Sequence, residues 1–264
     1  MRYYARVLRA FIRAAFQQEA AFRTNFFVNL LNSALSVVIG VAGVMVLYSR
    51  VKAIHGWTFS QTLALFGVYL FVGALRNLCL GPSLDALGGM DGDVWQGRFD
   101  FVLLKPASTQ FLVSCRHWRI WAIFDVAVSL LILGKAIADL GTVVSVVNLL
   151  VFLLSLLMSM TIVYALLLLL TTGVFWYQGV PLIWIFNSVI QMGRYPVGIY
   201  PGWFRAVLTW ILPIGFITTV PVEALSGQLG LSTLLGGIGL AIGLLVLASV
   251  FFQVSLRRYS SASS

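Results

Sequence analysis

Charged side chains are scarce in this 264-residue chain, at 9% of residues, whereas 60% of residues are hydrophobic. A soluble domain carries about a quarter of its residues as Asp, Glu, Lys or Arg, so this chain has too few charges to cover a water-facing surface. Several apolar runs reach the roughly 20 residues that a helix needs to cross a bilayer. The run LLVFLLSLLMSM also lacks the polar–apolar alternation of a membrane β-barrel. The composition therefore predicts an all-α, polytopic membrane protein.

The sequence also lacks the motifs of several enzyme classes. Its two cysteines, Cys79 and Cys115, give neither a disulfide framework nor a CxxC motif. Its one Gly-Lys pair, at 134–135, lacks the glycine spacing and the hydroxyl residue of a P-loop, so the chain cannot hold ATP phosphates in that way. No HExxH motif occurs, and His55 and His117 fall on opposite sides of the membrane in the topology below. We therefore predict no catalytic residue, no metal site and no cofactor in this chain.

The basic residues lie beside the apolar runs. The net charge of +9 is compatible with nucleic-acid binding, but charges that flank membrane spans indicate contact with anionic lipid headgroups instead. With the N-terminus in the cytoplasm, twelve of the 17 Lys and Arg residues lie inside and five lie outside. Because cytoplasmic loops carry the excess of Lys and Arg, we predict that both termini are cytoplasmic and that nucleic acid is not a partner.

Six transmembrane helices are predicted, and an amphipathic helix precedes them. In residues 2–20 the arginines recur at intervals of four, three and four, with Tyr4, Leu8 and Phe11 on the other face. This pattern is typical of a helix that lies in the membrane interface, with a solvated basic tail as the alternative. No short apolar core with a cleavage site follows it, so we expect no cleavable signal peptide. The spans are predicted at about 24–48, 59–80, 117–138, 143–170, 175–192 and 230–254.

A polar loop at 81–116 separates the second and third spans. In the predicted topology it is the only sizeable cytoplasmic loop, and it concentrates charge in a chain that has little. An ordinary solvated loop is one explanation, and a docking surface for a cytoplasmic partner is another. The charged residues in question are Asp91, Asp93, Arg98, Asp100 and Lys105.

Proline is concentrated at 193–227, which holds four of the seven prolines. Proline removes a backbone donor and clashes with the preceding turn, yet the segment is apolar, and counting it as a full span would place the basic tail outside. We predict a re-entrant or half-inserted helical pair at the outer face, held by surrounding protein. Its role is either an outer gate or a rigid plug. The residues assigned to this gate are Tyr195, Pro196, Tyr200, Pro201, Trp203 and Pro213.

One acidic residue, Asp125, falls inside the third span. Intramembrane acids are functional candidates, so a proton relay is one interpretation. A structural ion pair or hydrogen bond is the other, because Asp125 lies near the cytoplasmic end of the span, close to Arg116, Arg119 and Trp121. The sequence leaves both interpretations open.

Four stretches of the chain resemble the permease subunits of ABC-2 type exporters, and among them a group of bacterial permeases. The long motif at 193–227 is the most specific of the four. The resemblance implies a single transmembrane domain over 1–264 with the six-helix ABC-2, or type V exporter, fold in the bacterial inner membrane. The four stretches are FRTNFFVNLL (22–31), GRFDFVLLKPASTQFLVSCR (97–116), GRYPVGIYPGWFRAVLTWILPIGFITTVPVEALSG (193–227) and LRRYSSASS (256–264).

The resemblance also implies partners and a task for the polar loop. ABC-2 permeases pair with a second permease chain, identical or different, and with two copies of a separate ATPase that binds ATP and Mg. Their loop between spans 2 and 3 contains a coupling helix, for which 83–87 and 92–101 are the candidates here. Trp95 and Phe99, at i and i+4, are predicted as apolar anchors on one helical face. The salt-sensitive rim of the contact is assigned to Asp91, Asp93, Arg98 and Asp100.

The predicted function is that of an exporter permease for an amphipathic, drug-like or lipid-like substrate, without enzymatic activity of its own. Two alternatives stay open. One is a proton-coupled transporter that uses Asp125. The other is a membrane enzyme that acts on lipids and holds a metal ion between Asp91, Asp93 and Asp100.

Overall fold

The computed structural model describes residues 2–21, 23–88, 92–141, 145–176 and 183–259. It is mostly helical, at 81%, as the composition predicts. The α-helices of the described residues are α1 (Arg2–Ala21), α2 (Arg23–Tyr48), α3 (Phe59–Leu75), α4 (Gly81–Gly88), α5 (Asp100–Leu103), α6 (Thr109–Cys115), α7 (Ile123–Asp139), α8 (Val146–Thr172), α9 (Ile183–Ile190), α10 (Gly202–Ala206), α11 (Val220–Leu225) and α12 (Leu231–Leu256).

Within the described ranges, five stretches are long and apolar enough to cross a membrane. A sixth is present if the bent pair Gly202–Ile211 and Gly215–Leu225, which meet at 76°, is counted as one span. The predicted span at 175–192 lies partly outside the described residues, and its described part, α9, is about 12 Å long and too short to cross alone. The five stretches are Phe26–Tyr48, Phe59–Gly88, Ile120–Asp139, Val146–Phe175 and Leu231–Leu256.

A short β hairpin introduces the second span. Strands β1 (Ala53–Ile54) and β2 (Trp57–Thr58) pair antiparallel through a two-residue turn. His55 and Gly56 in that turn have positive φ angles of 49° and 84°, as the favoured hairpin turns require. Helix α3 then begins at a capping box, in which Thr58 and Gln61 satisfy each other's backbone donors.

The second span is longer than predicted, because its helix does not end near residue 80. It passes through a π-helical turn, Arg76–Leu80, and continues as α4. Pro82 lies two residues after the end of this wider turn, and a proline leaves the carbonyl four residues before it without a helical donor. That carbonyl, of Leu78, instead accepts a hydrogen bond from the Arg119 N–H at 3.1 Å. The candidate coupling stretch 83–87 is therefore a continuation of the span, not a separate helix in the loop.

The buried core lies among α3, α7, α8, α11 and α12. A Cβ at Gly67 would stand 3.2 Å from the Leu133 backbone, so α3 and α7 pack closely there. Helix α2 is peripheral, and Val44 is its one buried side chain among residues 26–48. An apolar helix with so little cover in its own chain faces lipid or another subunit.

The glycines of the last span differ in what they contact, although they share one helix. A Cβ at Gly237 would meet Met158 at 2.5 Å and the buried Phe216 at 2.9 Å, whereas Gly239 has open space. We expect Gly237→Leu to destabilise the chain by about 1–3 kcal/mol through overpacking, and Gly239→Leu to have little effect. Thermal unfolding of both detergent-solubilised variants measures this, and equal midpoints would contradict it.

Candidate functional site

Asp93 is the centre of the folded loop between the second and third spans. Its side chain is buried, with 5% exposure, and its carboxylate accepts hydrogen bonds from Arg98 Nε at 3.1 Å and from Arg116 Nη2. Its backbone N–H donates to the Ala86 carbonyl at 2.8 Å, and its own carbonyl accepts from the Phe99 N–H at 3.0 Å. One residue thus ties α4, the turns that follow and the start of the third span together.

The burial of Asp93 and Phe99 corrects two assignments. Asp93 does not lie on a rim, because its charge is enclosed and paired with arginines of the same chain. Phe99 is fully buried at 0% exposure, with its ring 5.3 Å from that of Phe175 and 5.1 Å from that of Tyr259. It therefore packs the loop onto the ends of two spans and is not an exposed anchor.

The geometry of 92–99 explains this error. These residues form turns, not a helix, and Gly97 has a φ of 67°, which an α-helix does not contain. Trp95 and Phe99 therefore do not share a helical face, and α5 begins only at Asp100. Asp91 lies outside the described residues.

The loop exposes several large apolar side chains. Trp95 is 53% exposed, Phe101 69% and Leu104 80%. Arg98 and Lys105 are exposed beside them. Of these, sequence analysis identified Trp95 and missed Phe101 and Leu104 as surface residues. Large apolar side chains on an otherwise polar loop mark a contact with a partner or with the membrane.

Asp100 is half-buried and faces the C-terminal end of the last span. Burial, together with the neighbouring Asp100 carboxylate, raises the pKa of the Tyr259 phenol to about 12. The acidic residue is thus engaged within the chain. A role for it on a docking rim stays a prediction.

A second group of contacts holds the far end of the loop. Ser83 Oγ donates to the His117 carbonyl at 2.9 Å and accepts from the His117 N–H at 2.8 Å. Asp85 lies 3.7 Å from Arg76 and 3.8 Å from Arg119. These contacts link α4 directly to the residues just before the third span.

The amphipathic helix α1 packs beside the loop. The Tyr4 ring lies 4.8 Å from Phe111, and the Glu19 carboxylate accepts from the Trp121 N–H at 2.9 Å. Arg2, Arg6, Arg9 and Arg13 are exposed on the other side. The predicted helix is confirmed, and its place in the membrane interface stays a prediction.

The predicted gate residues do not form one surface. Pro196 and Pro213 are buried, Tyr195 and Tyr200 are half-buried, and Pro201 and Trp203 are exposed. Tyr200 donates from its hydroxyl to the Met192 carbonyl at 3.1 Å. Pro213 lies at the 76° break of the bent pair, where its missing N–H ends the preceding helix. A helical pair is present as predicted, and gating by it remains a prediction.

Asp125 accepts a hydrogen bond from Ser33 of α2. The arginines considered as its partners are engaged elsewhere, Arg116 with Asp93 and Arg119 with Asp85. Of the ion pair or hydrogen bond expected for Asp125, the structure has the hydrogen bond. The proton relay stays a prediction. Within the described ranges, no group of His, Cys, Asp and Glu side chains is arranged to hold a metal ion.

Asp125 also lines a cavity of about 360 Å³ between α2, α3, α7, α8 and α9. We call this cavity the intramembrane cleft. Sequence analysis missed it, although its signal was present as polar residues at helical spacing in apolar segments. The polar residues that line it on α2 and on the segment that begins with α9 are Asn29, Asn32, Ser33, Ser36, Asn187, Gln191 and Arg194.

A family model described as ABC-2 family transporter protein matches residues 35–263. The matched range begins within α2 and includes the loop around Asp93, the bent pair and the last span. No curated protein and no solved structure matches the chain.

Proposed function

The chain belongs to the ABC-2 family of transporter proteins, and on that premise we propose that it is the permease subunit of an exporter driven by a separate ATPase. It is a multi-pass membrane protein, and ABC-2 family membrane proteins work with ABC ATPase partners. We further propose that two permease chains, identical or different, enclose the pathway. Two ATPase copies then bind ATP and Mg in the cytoplasm of a bacterium, at the inner membrane.

The observation that carries this proposal is the loop around Asp93. It exposes large apolar side chains, and hydrogen bonds and ion pairs within the chain tie it to the neighbouring helices. Trp95, Phe101 and Leu104 present the apolar surface, as an interface core requires. Asp93 and Ser83 connect that surface to α4 and to the residues before the third span. A force applied to the loop would therefore move two spans together.

The proposed cycle uses this connection. Closure of the two ATPases on ATP displaces the loops, and the spans shift between inward-facing and outward-facing arrangements. Nucleotide binding biases this equilibrium only because the ATPase contacts differ in the two arrangements. The permease itself needs no catalytic residue. The substrate proposed for this cycle is amphipathic, because the cleft has both polar and apolar walls.

We expect Trp95→Ala to weaken the affinity for the ATPase by about thirtyfold, since removing an aromatic anchor of an interface costs about 2 kcal/mol, and to reduce recovery of the ATPase on affinity purification of the permease in mild detergent accordingly. Mass spectrometry of the bound chains identifies and quantifies the ATPase. Trp203→Ala is the control, because Trp203 is also an exposed tryptophan, at 74%, but lies in the segment assigned to the outer face. Unchanged recovery with Trp95→Ala, or equal loss with Trp203→Ala, would contradict the assignment.

Asp125 supports the second candidate, a proton-coupled transporter, because its carboxylate lines the cleft. The two candidates differ in their energy source. Transport that stops when the partner ATPase loses its Walker lysine supports the first. Transport that survives this change but stops with Asp125→Asn supports the second.

A further inference from the structure

The intramembrane cleft is lined by several polar side chains, although the helices around it are apolar. On α2, Asn29, Asn32, Ser33 and Ser36 follow one another at helical spacing and line the cavity. Asn32 is exposed and makes no hydrogen bond to any residue in the described ranges. Amide groups that face hydrocarbon without a partner are costly. The stripe is therefore suited to a polar ligand or to water.

The opposite wall carries a positive charge. Asn187, Gln191 and Arg194 follow at intervals of four and three and line the same cavity. Arg194 Nε donates to the Tyr69 hydroxyl at 3.2 Å, and its guanidinium lies 5.5 Å from the centre of the Tyr69 ring. These contacts hold the guanidinium in place without neutralising it.

Tyr69 shows how deep this charge lies. It is ten residues beyond Phe59, where the second candidate span begins, and ten residues are about 15 Å of helix, or half of a hydrocarbon layer of about 30 Å. The charge count above placed Arg194 outside the membrane, and its hydrogen bond to Tyr69 places it within this span instead. A cation at that depth is expensive, and such residues mark the path or site of a ligand.

The charged side chains of the cleft differ in whether they have a partner. Arg76, at its inner end, lies 3.7 Å from Asp85. Asp125 is hydrogen-bonded to Ser33. Arg194 has no carboxylate within 4.0 Å among the residues that the structure describes. Arg194 is therefore the arginine of the cleft that no carboxylate of the described residues neutralises.

We propose that Arg194 binds an anionic oxygen group, of the phosphate or carboxylate type, carried by an amphipathic molecule in the intramembrane cleft. The amides of α2 and α9 contact the polar part of this molecule. Its apolar part lies against Phe66, Leu70 and Phe186, which line the same cavity. The volume of about 360 Å³ is within the usual range for a small-ligand site. This inference rests on the proposed function and specifies the substrate class of the exporter.

A binding assay on the purified chain in phosphatidylcholine nanodiscs tests this inference without the ATPase. The probe is dodecyl phosphate with a fluorescent label, and labelled dodecanol is the uncharged comparison. We expect Arg194→Gln to weaken binding of the phosphate probe about tenfold or more, as loss of a charge-assisted hydrogen bond does. Arg194→Lys should retain part of the affinity, and Arg205→Gln, an exposed arginine outside the cleft, should retain all of it.

A second variant guards against a folding defect in Arg194→Gln. Asn32→Leu changes an exposed side chain on the facing wall and should weaken probe binding several-fold while the thermal midpoint is unchanged. Equal binding of the phosphate and alcohol probes, or unchanged binding in both variants, would overturn the proposal. Inorganic phosphate that binds as tightly as dodecyl phosphate would overturn the amphipathic part. Since no ATPase is present, failure here is distinct from failure of the ATPase-recovery experiment.

Discussion

Replacing Phe99 with alanine is expected to destabilise the folded chain by about 3–5 kcal/mol. The Phe99 ring is fully buried and packs against Phe175 and Tyr259, which come from the ends of the fourth and last spans. Phe175 in turn lies 6.2 Å from Phe252. Truncation leaves a cavity among these rings that backbone elements from three parts of the chain cannot readily close.

Trp95→Ala is the matched control for this measurement. Trp95 is in the same loop but is 53% exposed, so we expect its truncation to change stability by less than about 1 kcal/mol. Thermal or denaturant unfolding of the detergent-solubilised chain, monitored by circular dichroism, compares the two variants. Similar unfolding midpoints would show that the aromatic cluster does not hold the loop.

The second large effect is expected for Asp93→Asn. The substitution preserves shape but leaves the half-buried Arg116 guanidinium without its counter-charge, and breaking a buried pair from one side costs about 3 kcal/mol. The Arg98 side chain is 56% exposed, so Arg98→Gln should cost less than about 1 kcal/mol. Unfolding midpoints of the two variants give this comparison.

A double variant separates the pair from the general burial of Asp93. We expect Asp93→Asn combined with Arg116→Gln to be less destabilised than the sum of the two single variants, because the second change removes the uncompensated charge. Additive losses would mean that the Asp93 and Arg116 side chains stabilise the chain independently of each other. The ATPase-recovery assay on the same variants then reports whether the Asp93–Arg116 pair is also needed for binding of the ATPase.

The spans were the most predictable part of the fold, because a long apolar run in the sequence is enough to identify a membrane-spanning helix. The predicted spans at 24–48 and 230–254 agree with Phe26–Tyr48 and Leu231–Leu256 within two residues. The end of the second span was not predictable in this way. The span was predicted to end near residue 80, but the helix continues through Pro82, because a distant N–H, from Arg119, satisfies the Leu78 carbonyl that the proline leaves free.

The candidate site was predictable only in outline. Local composition marked the loop, but the burial of Asp93 and Phe99 depends on Arg116, Phe175 and Tyr259, which are distant in sequence. Trp95 and Phe99 were predicted to share one face of a helix, but Gly97 between them has a positive φ, so this part of the loop is not helical. The cleft required tertiary packing, because its two polar walls come from segments about 150 residues apart.

The unbroken helix Phe59–Gly88 has 30 residues and a length of about 45 Å, against a hydrocarbon thickness of about 30 Å. Roughly its last third therefore extends beyond the acyl chains into the cytoplasm. A small change in the tilt of the helix then displaces its cytoplasmic end by a larger distance than the part inside the bilayer. Thinner or thicker bilayers alter that tilt. The rate at which this protein works should accordingly vary with the acyl-chain length of the lipids around it.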